Sequence, residues 1–271
     1  MPLVYACIAP HDGNLIPDDP AKESPISLTR ESMQGMGTSL QELKPEVLVL
    51  ISPHGFRSPG GISLCLAEKV LGEAGPALKL EFDLDVGLAS AITRRAALQK
   101  LPLVGYIYGA SSGEGCFLPL DWGAAIPLAF LGQPLDPRPR LVVISPMRDL
   151  GARVHYDFGR LLGSVMREDP RRLALIASAD QGHAHSAGGP YGFHPAAAEY
   201  DRRMQQLLLA NDLEGLLDLD DDLVRNSMAD SLWPTLILAG ALAGVPREAQ
   251  LLSYEVDDYF GILCAEFRPR I

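Results

Sequence analysis

The chain has only four cysteines, Cys7, Cys65, Cys116 and Cys264, and no two of them form a C-x-x-C pair. They read as reduced, mostly buried thiols of a cytosolic protein. No run of Lys or Arg exceeds two residues and the formal net charge is -11, which argues against a nucleic-acid groove or a polybasic membrane surface. No uninterrupted apolar stretch reaches the roughly 18 residues of a membrane span. The N-terminus lacks a charged start followed by a long apolar segment, so no signal peptide is expected and a cytoplasmic location is. Repeats and low-complexity tracts are absent. The hydrophobic content of 47% and charged content of 21% exclude extensive disorder. At 271 residues the chain can bury a full core, and a single domain over residues 1–271 is expected.

Short apolar runs alternate with helix-length amphipathic segments. Residues 3–9, 47–52, 101–108, 141–145 and 173–179 read as buried strands, each ending at a turn-rich or polar cluster. Residues 25–43, 86–99, 122–131, 154–167, 195–210 and 231–244 read as helices, and 251–256 and 261–267 as closing strands. This alternation predicts an α/β fold: a single layered domain with a central, largely parallel or mixed β-sheet flanked by helices. Ligands in such folds gather beyond the carboxyl ends of the strands.

Six histidines occur, and two stand in equivalent places. His11 ends Cys7-Ile8-Ala9-Pro10-His11, and His54 ends Leu50-Ile51-Ser52-Pro53-His54. In both, a buried strand stops at a proline and the next residue is His. A strand-terminal loop holds a side chain on a rigid scaffold yet leaves it open to a cleft, as a metal ligand requires. The alternative is two unrelated loop histidines. The densest polar segment, residues 178–195, also follows a buried strand and carries His183, His185 and His194 among glycines. An imidazole there suits general-base work near neutral pH. His183 and His185 also form an H-x-H pair of the kind that chelates zinc. His155 opens an amphipathic helix and reads as structural, and the acidic run 218–222 reads as a solvated loop.

The paired Pro-His strand ends resemble the start of the class III (LigB-type) extradiol ring-cleavage dioxygenases, a superfamily that also contains Memo-type proteins. Residues 178–195 are similar to that family's Ser-Gly-Asp-x-Ser-His stretch and following Gly-Pro turn, and Pro119-Leu120-Asp121-Trp122-Gly123 to its Leu-Asp-His-Gly element. Trp122 stands where the family pattern has His. The resemblance implies a mononuclear non-haem site, with Fe(II) foremost and Zn or Mn as alternatives, held by His11, His54 and a carboxylate. His183 matches the family's catalytic base. The position aligned with the family's ligand Glu falls on Ala229, beside Asp230. Asp230 is therefore the leading third ligand, although it is equally suited to cap the next helix, and Glu255 and Asp180 are substitutes. Trp122, His185 and His194 are candidate substrate contacts. The implied reaction opens a catechol-type or aminophenol-type ring with O₂. A zinc hydrolase using His183 and His185, and a Memo-type metal-binding protein without turnover, are the competing readings. A homodimer is the expected assembly, with a small partner subunit, as in some family members, left open.

Overall fold

A computed structural model describes residues 2–16, 24–75 and 78–270. Its centre is an eight-stranded mixed sheet in the order β10-β11-β1-β9-β2-β8-β3-β6. The inner strands β1 (Leu3–Ala9), β9 (Leu173–Ser178), β2 (Val47–Ile51) and β8 (Arg140–Ser145) run parallel to one another. Their near-continuous apolar character follows from this placement, because a parallel sheet is covered on both faces. β11 (Phe260–Pro269) pairs antiparallel with β1 and forms a hairpin with β10 (Arg247–Asp257). At the other end β3 (Ile62–Cys65) is antiparallel to β8 and parallel to β6 (Leu103–Tyr106).

Alternate residues of the inner strands divide the core in two. Val47, Val49 and Ile51 face one layer, where α2 (Val86–Gln99), α4 (Ala152–Glu168), α5 (Ala196–Leu209) and α7 (Leu232–Ala241) supply Ile92, Phe158, Met204 and Leu236. Leu48 and Leu50 face the opposite layer, packed by α1 (Ser27–Leu43) and α3 (Trp122–Leu131). A small sheet covers this second layer, ordered β5-β4-β7, from Leu78–Asp83, Lys69–Ala74 and Phe117–Pro119. α4 and α7 pack backbone to backbone: a Cβ on Gly240 would overlap the carbonyl oxygen of Tyr156. The short helix α6 (Asp221–Ser227) leads into α7.

The expected α/β class holds, with corrections at the sheet edges. The strands β3, β4, β5 and β7 were not expected. They are short, and β4, β5 and β7 are partly exposed, so they lack the long apolar run that marked the inner strands. The strand expected over 101–108 is confined to Leu103–Tyr106, while the closing strands extend beyond 251–256 and 261–267 because hairpin pairing carries them outward. All four cysteines are free and buried. Among the described residues no helix is long and apolar enough to cross a membrane.

Candidate metal centre

β1, β9 and β2 are neighbours, so the segments leaving their carboxyl ends lie side by side. His11 follows β1 and His54 follows β2, on backbones roughly 10 Å apart across two strand spacings. Their side chains close that gap over the end of β9: the two Nε2 atoms are 2.9 Å apart. Asp230, between α6 and α7, completes the cluster. Its Oδ2 lies 3.0 Å from His54 Nε2 and 3.3 Å from His11 Nε2. Asp230 does not cap α7, whose N-cap Ser231 makes no side-chain cap bond; its Oδ1 instead accepts the N–H of Asp180 at 2.8 Å.

The tautomer of His11 follows from its neighbours. Ser178 Oγ lies 2.5 Å from the carbonyl oxygen of Gly123, which can only accept, so the hydroxyl proton is committed there. His11 Nδ1, 2.9 Å from the same Oγ, must then donate to it. In the neutral ring this leaves the Nε2 lone pair aimed at His54 and Asp230. A buried partner that fixes the ring nitrogen opposite the metal is the usual support of a ligating histidine.

The electrostatics show what the cluster lacks. Burial disfavours a charged His11, yet Asp180 and Asp230 outweigh it and raise its pKa to about 9. Burial likewise opposes a charged Asp230, but His11 and His54 hold its carboxyl well below the usual carboxylate range. Asp180 shifts the other way: burial raises its pKa, and the negative charge of Asp230 adds to that rise against the pull of His11. The buried Oδ2 of Asp230 has no hydrogen-bond partner among the described residues. Three ligand atoms 2.9–3.3 Å apart therefore converge with one carboxylate oxygen unsatisfied. Ligands about 2.1 Å from a metal at right angles to one another are separated by about 3.0 Å. The donor set and its spacing thus fit a divalent cation held by two imidazoles and one carboxylate, with positions left open.

The supporting shell is built from strand and helix ends. Asp121 caps α3, accepting from Ala124 N–H at 3.0 Å and from Ser52 Oγ at 2.7 Å. A Cβ on Gly123 would stand 2.8 Å from Ser52 Oγ and 3.0 Å from His54 Cδ2, so glycine lets this turn close over His54. Trp122, 57% exposed, stacks on His54 with ring centroids 4.4 Å apart.

His183 faces the same space. Its Nδ1 lies 2.7 Å from the carbonyl oxygen of Gln181 and must donate, so Nε2 of the neutral ring is free to accept a proton. The ring is held by stacking on Phe260 at 5.2 Å and by Tyr191 edge-on at 5.9 Å. His54, Arg148, His183, Tyr191, Asp230 and Trp233 are among the residues lining one cavity of about 280 Å³. A larger groove of about 840 Å³ runs along α4 and holds none of the cluster residues.

The comparisons with known proteins bear on this cluster. The family model for the catalytic LigB subunit of aromatic ring-opening dioxygenases matches residues 5–263. The chain belongs to the LigB family. A Clostridium acetobutylicum protein whose designation states no activity is 24% identical over 254 residues, 92% of this chain and 54% of the relative. The chain thus spans about half the length of the curated relative it matches. A solved structure of an uncharacterized Escherichia coli K12 protein aligns with a TM-score of 0.63 at 18% identity, covering 97% of this chain and 99% of that one, which shows a shared fold.

Of the other candidate residues of this LigB-family chain, Asp180 stands at the cluster's edge, its Oδ2 3.2 Å from His11 Nε2, and the rest lie outside. His185 Nε2 bonds Asp201 Oδ2 at 2.8 Å, and Tyr254 OH donates to the same oxygen at 2.8 Å. His194 Nδ1 accepts the N–H of Ala196 at 3.2 Å in the turn before α5. Neither lines the cavity. Glu255 accepts from Thr29 N–H and Oγ1 of α1 and is not part of the cluster. Buried His155 bonds Gly151 O within the start of α4. Sequence reasoning passed over Ser178, although it stands at a strand end, the signal that singled out His11 and His54.

Proposed function

We propose that this LigB-family chain is a metal-dependent enzyme that opens a catechol-type or aminophenol-type ring with O₂. His11, His54 and Asp230 would hold the metal, Fe(II) foremost, and His183 would act as base. The observation that carries the reading is the convergence of three ligand atoms within 3.3 Å, beside a histidine whose Nε2 is free to accept a proton. When bound, the metal supplies an anchor for two ring oxygens and couples the electron-rich ring to O₂.

The protein residues do the rest. Ser178 holds His11 in its ligating tautomer. Gln181 O keeps the His183 ring oriented, and Nε2 takes the proton of a ring hydroxyl, which raises the electron density of the ring. Tyr191 and Trp233 line the cavity and would exclude water from a planar substrate, while Trp122, which does not line it, stacks on His54. The product is a muconic-semialdehyde-type chain, and no external reductant enters.

The decisive test is anaerobic reconstitution with Fe(II), then addition of a catechol and O₂. A yellow ring-opened product should form with iron and vanish in His183→Gln. If no catechol or aminophenol perturbs the metal-loaded site, the reading fails. The H-x-H zinc scheme gains nothing from the geometry, since His183 and His185 turn to different partners. One observation favours a second reading, a Memo-type metal protein without turnover: Trp122 stands where the family pattern has His. Tight metal binding with no product from any ring substrate would select it. A homodimer, with or without a small partner subunit, belongs to the same proposal and is read by light scattering. So does a cytoplasmic location, which four free buried thiols suit.

A further inference from the structure

The peptide that fixes the tautomer of His183 is itself held by a buried carboxylate. Gln181 O, which accepts from His183 Nδ1 at 2.7 Å, and Gly182 N–H are the two ends of one planar peptide group. The N–H end donates to Oδ1 of Asp201 on α5 at 2.7 Å. Asp201 is 1% exposed. Its Oδ2 accepts from Tyr254 OH of β10 and from His185 Nε2, each at 2.8 Å. The neighbouring amides of the loop bond to backbone: Gln181 N–H to Gly261 O and His183 N–H to Ser227 O, both at 2.7 Å. Two glycines let the carboxylate in. A Cβ on Gly182 would stand 2.7 Å from Cα of Ala197, one turn before Asp201, and a Cβ on Gly261 would overlap Asp201 Oδ2.

We propose that Asp201 is a positioning residue for the base: it sets the plane of the Gln181–Gly182 peptide, whose carbonyl keeps His183 with its Nε2 lone pair free. The inference rests on the ring-opening reading for its effect on turnover, and deepens it. A charged acceptor makes the stronger bond to an amide, and the polarised peptide in turn binds the His183 N–H more firmly. Tyr254 and His185 hold the carboxylate by its other oxygen, so it stays fixed while the peptide is held against it. Without Asp201 the buried Gly182 N–H loses its partner. The peptide then turns toward another acceptor and Gln181 O leaves His183. The ring is released to carry its proton on Nε2, the form that cannot accept one there.

The test loads the protein with Zn(II), which is diamagnetic, and reads the ring nitrogens by 15N NMR at a pH where the rings are neutral, with His183→Gln to assign the signals. Turnover of a catechol is measured separately on the Fe(II)-loaded protein. Wild type should show His183 as the Nδ1–H tautomer alone; a ring protonated on Nε2 overturns the proposal at once. Asp201→Ala should mix the tautomers and lower kcat about 10–100-fold, with KM and metal affinity within about twofold. Asp201→Asn keeps an acceptor for Gly182 and turns its amide to Tyr254 and His185. It should recover most of kcat while moving the His185 proton to Nδ1. A folded Asp201→Ala with one His183 tautomer and full kcat makes Asp201 merely structural and overturns the proposal. Should that variant not fold, Asp201→Glu decides, since it keeps the charge but carries the carboxylate out by one methylene. A single tautomer and full kcat there overturn the proposal equally. If wild type opens no ring, the ring-opening reading falls, and the His183 tautomer in these variants still decides the role of Asp201.

Discussion

Replacing Ser178 by Ala tests the reasoning about His11 without touching a ligand. The hydroxyl is fully buried and makes two bonds, accepting from His11 Nδ1 and donating to Gly123 O. Its removal leaves a buried N–H and a buried carbonyl unpaired, at roughly 1–3 kcal/mol for each group. Local relaxation recovers part, so a loss of roughly 2–4 kcal/mol is expected, within the 5–15 kcal/mol of a typical domain. Urea unfolding of the metal-free protein measures it. The informative effect is on the metal. With Nδ1 no longer tied, His11 no longer favours the tautomer that presents its Nε2 lone pair, and affinity should fall about 10–100-fold, as for other supporting partners. Competition against a chromophoric chelator, with Zn(II) or anaerobic Fe(II), reads this directly. Ser63→Ala is the control: that hydroxyl is buried with no partner, so its removal should cost no stability and leave metal affinity unchanged. If Ser178→Ala binds metal within about twofold of wild type, the tautomer argument is wrong.

Three further expectations follow from the same geometry. His183→Gln should keep full metal affinity yet lower turnover by about 10²–10⁴-fold, the range for loss of a general base; a matching loss of metal would make His183 a ligand instead. Because His11 has a folded pKa near 9, raised above its ordinary 6.5, a proton competes with the metal at neutral pH. Metal affinity should therefore climb as pH rises toward 9, and an affinity flat from pH 6 to 9 would contradict the assignment. In the metal-free protein the same shift contributes stability that is fully present below about 6.5 and lost as pH rises through about 9. Gly240→Ala drives a methyl group into the Tyr156 carbonyl where α4 and α7 touch, so unfolding should become easier by about 1–3 kcal/mol with metal stoichiometry unchanged in the folded fraction.

Much of this could be read from the chain alone, for local reasons. Buried parallel strands are apolar on both faces, so β1, β2, β8 and β9 stand out in any window of six residues, and α/β layering follows. His11 and His54 were legible because each closes such a run behind a proline, a signature held within five or six consecutive residues. His183 was legible because a polar, glycine-rich loop follows β9. What local pattern could not separate was the role of Asp230: a carboxylate one residue before a helix N-cap looks the same whether it caps or coordinates. Only the packing of the α6–α7 turn against β9 aims its Oδ2 at two imidazoles contributed from more than 170 residues earlier in the chain. His185 and His194 carried the same local signal as His183, and their partners, Asp201 and the N–H of Ala196, are a matter of which way each side chain turns. Ser178 gains its meaning from strand order, since β9 lies between β1 and β2. The sequence by itself determined the layers and the two histidines. The tertiary structure alone brought Asp230 to within 3.3 Å of both Nε2 atoms, because the chain reaches that point from three distant segments.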